Sequence, residues 1–180
     1  MGNDPIILIV RTLGSLFVFI VLLRFLLQLT RADFYNPISQ AVVKFTNPAL
    51  IPLRRVIPGW KGMDLASIML ALLVKLVVVF VVFYRHGGIP DVLSLLIFSS
   101  VGVLYSLLDI YFWSILIMVI LSWVAPNSSH PGAQLIWQIS EPVCNLARKV
   151  LPPIGGLDLS PILIFLAIQL IQGQLQPFAF

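Results

Sequence analysis

Residues 47–65 return at 141–159, and every landmark between them is displaced by the same 94 positions. Pro48 answers to Pro142, Arg54 to Arg148, Pro58 to Pro152 and Asp64 to Asp158, with no gap. From Asn36 to Ile68, 10 of 33 positions are identical at this offset: Pro37, Gln40, Pro48, Arg54, Val56, Pro58, Gly62, Asp64, Leu65 and Ile68. Most are residue types that fix backbone geometry or place a charge, so shared hydrophobicity does not account for the match. A duplicated structural unit does, and it limits the fold to two copies of one motif.

The copies are embedded in a chain that is 59% apolar and only 10% charged, with a mean hydropathy of +1.04. Soluble domains carry about 25% charged residues, so a membrane protein is expected. The net charge of +4 then reads as topology signal and contact with anionic headgroups rather than as a nucleic-acid surface.

Four spans follow from the apolar runs, since a helix needs about 20 residues to cross a bilayer. Ile6 to Leu29 is the first. Asp4 precedes it, Arg11 and Arg24 interrupt it and no small-residue cleavage site follows, so it reads as retained rather than as a signal peptide. Leu65 to Tyr84 is the second, and Asp64 is placed to cap its start. The 33 apolar residues from Val92 to Val124 are too long for one ordinary span; the repeat offset starts the third span near Ser99 and leaves 91–98 as a short extra helix or a re-entrant piece. Asp158 opens the fourth, Leu159 to roughly Phe178.

The connections 36–58 and 131–152 are amphipathic. Ile38, Ala41, Val42, Phe45, Ala49, Leu53 and Val56 recur at helical spacing, as do Leu135, Ile136, Ile139, Val143, Leu146 and Val150. Pro48 and Pro52 are expected to break the first into two short pieces in the interface plane. The fold class is therefore an all-α integral membrane protein of two tandem repeats, 1–88 and 89–180. Each is span, amphipathic interfacial segment, span. Two crossings per repeat give parallel halves rather than inverted ones.

Arg31, Lys44, Arg54, Arg55, Lys61, Arg148 and Lys149 all lie in the connections. The positive-inside rule makes these cytoplasmic, with both termini periplasmic.

The charged residues have competing readings. Arg54-Arg55 and Arg148-Lys149 could form paired cationic sites for phospholipid headgroups or an anionic partner, or could simply snorkel. A structural version ties Arg54 to Asp64, or Arg148 to Asp158, closing each connection. Arg24, near the cytoplasmic end of span one, is expected to snorkel. Lys75 and Asp109 fall near mid-bilayer, where an isolated charge costs about 2.5 to 3.5 kcal/mol on insertion scales. Gln169 is the repeat counterpart of Lys75. A Lys75–Asp109 pair assisted by Gln169 would satisfy all three, either as structural glue or as a proton- or cation-linked site.

No hydrolase elbow, zinc-protease, P-loop or dinucleotide fingerprint occurs, so no enzyme, cofactor or catalytic residue is expected. His86 and His130 are too few and too far apart for a metal site, and the single Cys144 supports no intrachain disulfide.

The motif N-P-x3-P-L-R-R-x-I-P-x3-G-x-D, its degenerate second copy E-P-x5-R-K-x-L-P-x3-G-x-D and the D-F-Y-N-P entry at Asp33 resemble the YggT family of small bacterial inner-membrane proteins. The resemblance covers nearly the whole chain. It implies a role in osmotic-stress tolerance and potassium homeostasis, as a transport-related subunit or modulator. Through plastid and cyanobacterial relatives it also implies the alternative of a scaffold for cytochrome haem attachment or for division and nucleoid organisation. A protein partner or a homo-oligomer is expected in either case. The second copy departs from the first in carrying Lys149 for Arg55 and in lacking a counterpart of Pro52.

Overall fold

The computed structural model describes residues 4–60, 62–153, 155 and 158–179. Lys61, one of the connection cations, lies outside them. The described residues form six helices: α1 (Pro5–Leu29), α2 (Pro37–Val56), α3 (Leu65–Arg85), α4 (Val92–Val124), α5 (Pro131–Val150) and α6 (Ser160–Leu175), which ends in a 3₁₀ turn at Gln176–Phe178. Four of them, α1, α3, α4 and α6 with its turn, are long and apolar enough to cross a bilayer. Large apolar residues such as Leu13, Val77, Leu104 and Leu170 are exposed on these four, and soluble monomers rarely leave a continuous surface of this kind uncovered.

Repeated local signals start the helices. The carboxylate of Asp4 accepts from the Ile6 amide (2.9 Å), and the Asn36 side chain accepts from that of Ile38 (2.9 Å). His130, the counterpart of Asn36, does the same through Nδ1 to Gly132 (3.1 Å). Pro5, Pro37 and Pro131 follow their caps, at the first helical position, where an N–H has no intrahelical partner to lose.

The directions of the helices can be read from their contacts. Arg85 at the end of α3 pairs with Asp4 at the start of α1 (2.6 Å), so these helices are antiparallel. Phe83 stacks near Phe98, and Phe98 near Phe178, so α4 starts beside the ends of both α3 and the chain. Hence α1 and α4 run the same way, as parallel repeats require. The two connections also meet: the Asn36 amide donates to the Pro131 carbonyl (2.9 Å) and the Asp33 amide to Gln138 Oε1 (3.0 Å).

Two expectations about helix breaks are corrected. The helix α4 is one unbroken element capped by Asp91, whose carboxylate accepts from the Ser94 amide (3.0 Å), so 91–98 is not a separate short helix. No proline interrupts the run, and 33 residues extend about 50 Å. Likewise α2 continues through Pro48 and Pro52. Lys44, Pro48 and Pro52 lie at i, i+4 and i+8 on an exposed face. The carbonyls deprived of an amide donor therefore face outward, where water or headgroups can serve them.

Both connection helices pack into the bundle rather than lying free of it. Ser39, Val42, Thr46 and Leu50 of α2 are buried, as are Leu135, Ile139, Cys144 and Ala147 of α5. Phe45, Val56, Leu146 and Val150 remain exposed beside those faces. The apolar stripe predicted for each is thus shared between the bundle and the surface.

The turn after α1 is the one backbone anomaly among the described non-glycine residues. The Ala32 amide donates to the Leu27 carbonyl (2.8 Å) and the Arg31 amide to that of Gln28 (3.2 Å), the pattern of a Schellman cap. Arg31 holds φ at +54°, where glycine is usual and a side chain costs roughly 1 to 2 kcal/mol.

Candidate functional site

Each repeat closes its connection with an arginine bonded to an aspartate ten residues later. In the first repeat Arg54 of α2 binds Asp64 through Nη2 and through Nε (3.3 Å), and it also donates to Gln28 Oε1 (3.3 Å). Asp64 is only 2% exposed. It does not cap α3 with its side chain as expected: its carboxylate is held by Arg54 and by the Ser67 hydroxyl (2.6 Å), with Arg24 Nε 4.0 Å away. Burial pushes the Asp64 carboxyl upward, but the hydrogen bonds from Arg54 and Ser67 and the two guanidinium charges outweigh it and hold it below the usual carboxylate range.

The second repeat builds the same clasp in the open. Arg148 donates to Asp158 (2.9 Å), to Glu141 (2.6 Å) and to Asn145 (2.8 Å), and Asp158 also accepts from the Ser160 amide (2.9 Å). Two carboxylates raise the Arg148 guanidinium well above its ordinary value, Glu141 contributing first. Arg55, Lys149, Pro48, Pro58, Pro142 and Pro152 are exposed around these clasps; the prolines shape the turns and the two cations face outward.

Arg24 was expected to snorkel and instead is buried at 6% exposure. Its Nη1 donates to the Val43 carbonyl (3.0 Å), Thr46 Oγ1 (2.6 Å) and Asn47 Oδ1 (2.8 Å), fastening α2 to α1. The correction has a local cause: α2 folds back over the end of α1 and offers three acceptors nearer than any headgroup. Sequence reasoning missed Asn47 and Arg24 as partners. The signal was present in the repeat, where Asn47 becomes Glu141 at the same time as Arg24 becomes Met118. Without the buried arginine, Glu141 turns to Arg148.

The second polar locus is a cleft on the side of the bundle, where Lys75 is buried and Asp109 is exposed. A cavity of about 520 Å³ is lined by Lys75 of α3, by Ser106, Asp109 and Trp113 of α4, and by Ser15 and Phe19 of α1. Ser15 and Phe19 are the repeat counterparts of Asp109 and Trp113 (109 − 15 = 94; 113 − 19 = 94), so α1 and α4 face the cavity with equivalent turns. Lys75 is 4% exposed and ten residues into α3, about 15 Å from the connection end. Its aliphatic stem runs beside Gly102, where an added Cβ would lie 3.3 Å from Cδ.

Gln169 does not join this group: it does not line the cleft. Gln172 takes its place, donating from Nε2 to Asp109 Oδ1 (3.0 Å). The inward face of α6 runs through Ile164 and Ile168, and the next position on it is 172, whereas 169 is turned by about 100°. Among the described residues, no group of three or more His, Cys, Asp or Glu side chains could hold a metal ion.

Comparison with known proteins repeats the internal pattern. The family described as CCB3/YggT matches twice, over residues 3–84 and 97–179. The two matches start 94 residues apart (97 − 3 = 94), and the first residues of α4 fall between them. The chain is 54% identical over 173 residues to uncharacterized protein PA0392 of Pseudomonas aeruginosa, covering 94% of this chain and 87% of that protein. It is 35% identical over 163 residues to uncharacterized protein YggT of Escherichia coli K12, covering 89% and 83%. YlmG homolog protein 2, chloroplastic, of Arabidopsis thaliana is 35% identical over 65 residues, 36% of this chain and 26% of that one. No solved structure matches. With both halves of the chain matched and the helices arranged as a tandem pair, the protein belongs to the CCB3/YggT family.

Proposed function

We propose that this chain is a non-enzymatic, multi-pass protein of the bacterial inner membrane that acts in cation and osmotic homeostasis, as a subunit or modulator of transport. The observation that carries the reading is the cleft between α1, α3 and α4. Lys75 and Asp109 share it at bilayer depth, where ionisable side chains are costly and mark ion or proton pathways. Arg31, Lys44, Arg54, Arg55, Arg148 and Lys149 gather at the connection end, which supports cytoplasmic connections and periplasmic termini. Four spans leave little room for a private pore, so flux would require a homo-oligomer or a partner transporter.

The test is the double variant Lys75→Met, Asp109→Asn. It is expected to reach the membrane at wild-type level and to lose the chain's contribution to potassium-dependent growth after osmotic shock. Full retention of that growth would reduce the pair to architecture. A second reading, a scaffold or assembly factor, is favoured by the exposed apolar residues Phe45, Val56, Leu146 and Val150 beside the two connection helices. Potassium flux measured in proteoliposomes of the pure protein separates the two, because a scaffold gives none.

A further inference from the structure

We infer that the first repeat carries a binding pocket for a phosphate group, placed where it would take the headgroup of an anionic membrane lipid. A cavity of about 340 Å³ opens at the connection end between α1 and α2, and Arg24, Arg31, Arg54, Gln28 and Ser39 line it together with apolar Leu27 and Phe34. Arg24 and Arg54 face the Asp64 carboxylate, which Arg54 and Ser67 already engage, and Arg31 adds a third guanidinium to the lining. Asp33 is occupied elsewhere, accepting from the Tyr35 amide (2.9 Å). The pocket therefore keeps an excess of positive charge.

Two of its groups lack any visible purpose in the fold. The Ser39 hydroxyl is buried, with the residue 3% exposed, and has no hydrogen-bond partner among the described residues. Such a group in a native protein calls for an acceptor or donor that completes it. Arg31 occupies the left-handed position of the α1 cap, at φ +54°, where a glycine would be free of strain. Its guanidinium is exposed at the cavity and makes no hydrogen bond or ion pair among the described residues. A strained arginine beside two others and an unsatisfied hydroxyl is what a phosphate with several acceptor oxygens would complete.

The repeat argues that this chemistry is particular to the first half. At the offset of 94, Arg24 becomes Met118, Arg31 becomes Ala125 and Ser39 becomes Ala133, while Arg54 is kept as Arg148. The clasp arginine is retained in both copies, and the other polar groups of the pocket occur once. The pocket lies at the level of the helix ends, with Leu27 and Phe34 beside the charges, so a lipid could place its phosphate on the arginines and its glycerol and chains along the apolar wall.

The experiment is native mass spectrometry of the full chain in detergent, titrated with dioleoylphosphatidylglycerol, with dioleoylphosphatidylcholine and with inorganic phosphate. One phosphatidylglycerol per chain is expected to bind more tightly than phosphatidylcholine. Arg31→Gly should weaken it about tenfold, the factor that accompanies loss of one charge-assisted bond. Ser39→Ala should weaken it severalfold, and Lys44→Gln, on the outer face of α2, should not. Because Arg31→Gly relieves the backbone, its lipid-free melting temperature should equal or exceed that of the wild type, which separates lost binding from lost folding. If inorganic phosphate binds with the same dependence on Arg31 and Ser39 and displaces the lipid, free phosphate is the ligand. If phosphate fails to compete, the lipid is. Binding of lipid and of phosphate that is indifferent to both substitutions overturns the assignment.

Discussion

The two clasps have the same residues at the same spacing and differ in their surroundings, so one substitution made in each should have unequal effects. Asp64→Asn removes a carboxylate that is 2% exposed and faces Arg54 and Arg24. Arg54, 38% exposed at its side chain, can rehydrate; Arg24, 6% exposed, cannot. Breaking a buried ion pair on one side costs about 3 to 5 kcal/mol. Arg24 keeps its bonds to Val43, Thr46 and Asn47, which places the loss near the low end, about 3 kcal/mol. For a chain of this length that corresponds to roughly 6 to 12 °C in melting temperature. Asp158→Asn breaks an exposed pair, where about 0 to 1 kcal/mol is usual, or at most about 4 °C. The assay is thermal unfolding of both variants in one detergent. Equal losses, or a loss under about 2 °C for Asp64→Asn, would refute the claim that burial of the first clasp sets its worth. The pH dependence has a fixed sign: the folded Asp64 carboxyl lies below its ordinary value of 3.8, so its contribution is complete above about pH 4 to 5 and is lost as the pH falls through the folded pKa. The wild type should lose stability on acidification below about pH 4, and Asp64→Asn should lose less.

Gly14 lets α1 approach α3, because a Cβ there would fall 2.4 Å from Val78 Cγ2 and a valine in a helix has little freedom to rotate away. Gly14→Ala should therefore destabilise by about 1 to 2 kcal/mol despite the better helix propensity of alanine, as read by a lower melting temperature; an unchanged or higher one would mean the helices can part at no cost. Cys144 is fully buried and burial pushes its thiol up, so maleimide labelling of the folded protein should be at least tenfold slower than after unfolding in dodecyl sulfate. Rapid labelling of the folded form would place α5 off the bundle.

What was legible in the sequence was what depends on local spacing. An apolar run of about 20 residues has one outcome in a bilayer, and an arginine ten residues before an aspartate, across a proline-bearing turn, can be closed within its own connection. Contacts between distant segments were not legible in that way. Arg24 reads as a snorkelling cation until α2 is folded over it, and the choice of Gln172 over Gln169 depends on the rotation of α6, which the repeat offset does not fix. Symmetry itself misled once, by assigning Lys75's counterpart to the cleft, since two copies of a motif share a fold without sharing each side chain's surroundings. Those departures from symmetry are informative. Both halves keep the arginine–aspartate clasp, but only the first buries it, adds Arg24 and Arg31 and places Ser39 and Ser67 around it; the second has Met118, Ala125, Ala133 and Pro161 at those positions. Burying charge stabilises a fold poorly compared with apolar packing of the same volume, and the second half shows that this fold forms without it. Arg31 and the buried Ser39 hydroxyl are therefore better explained by something they bind than by something they hold together.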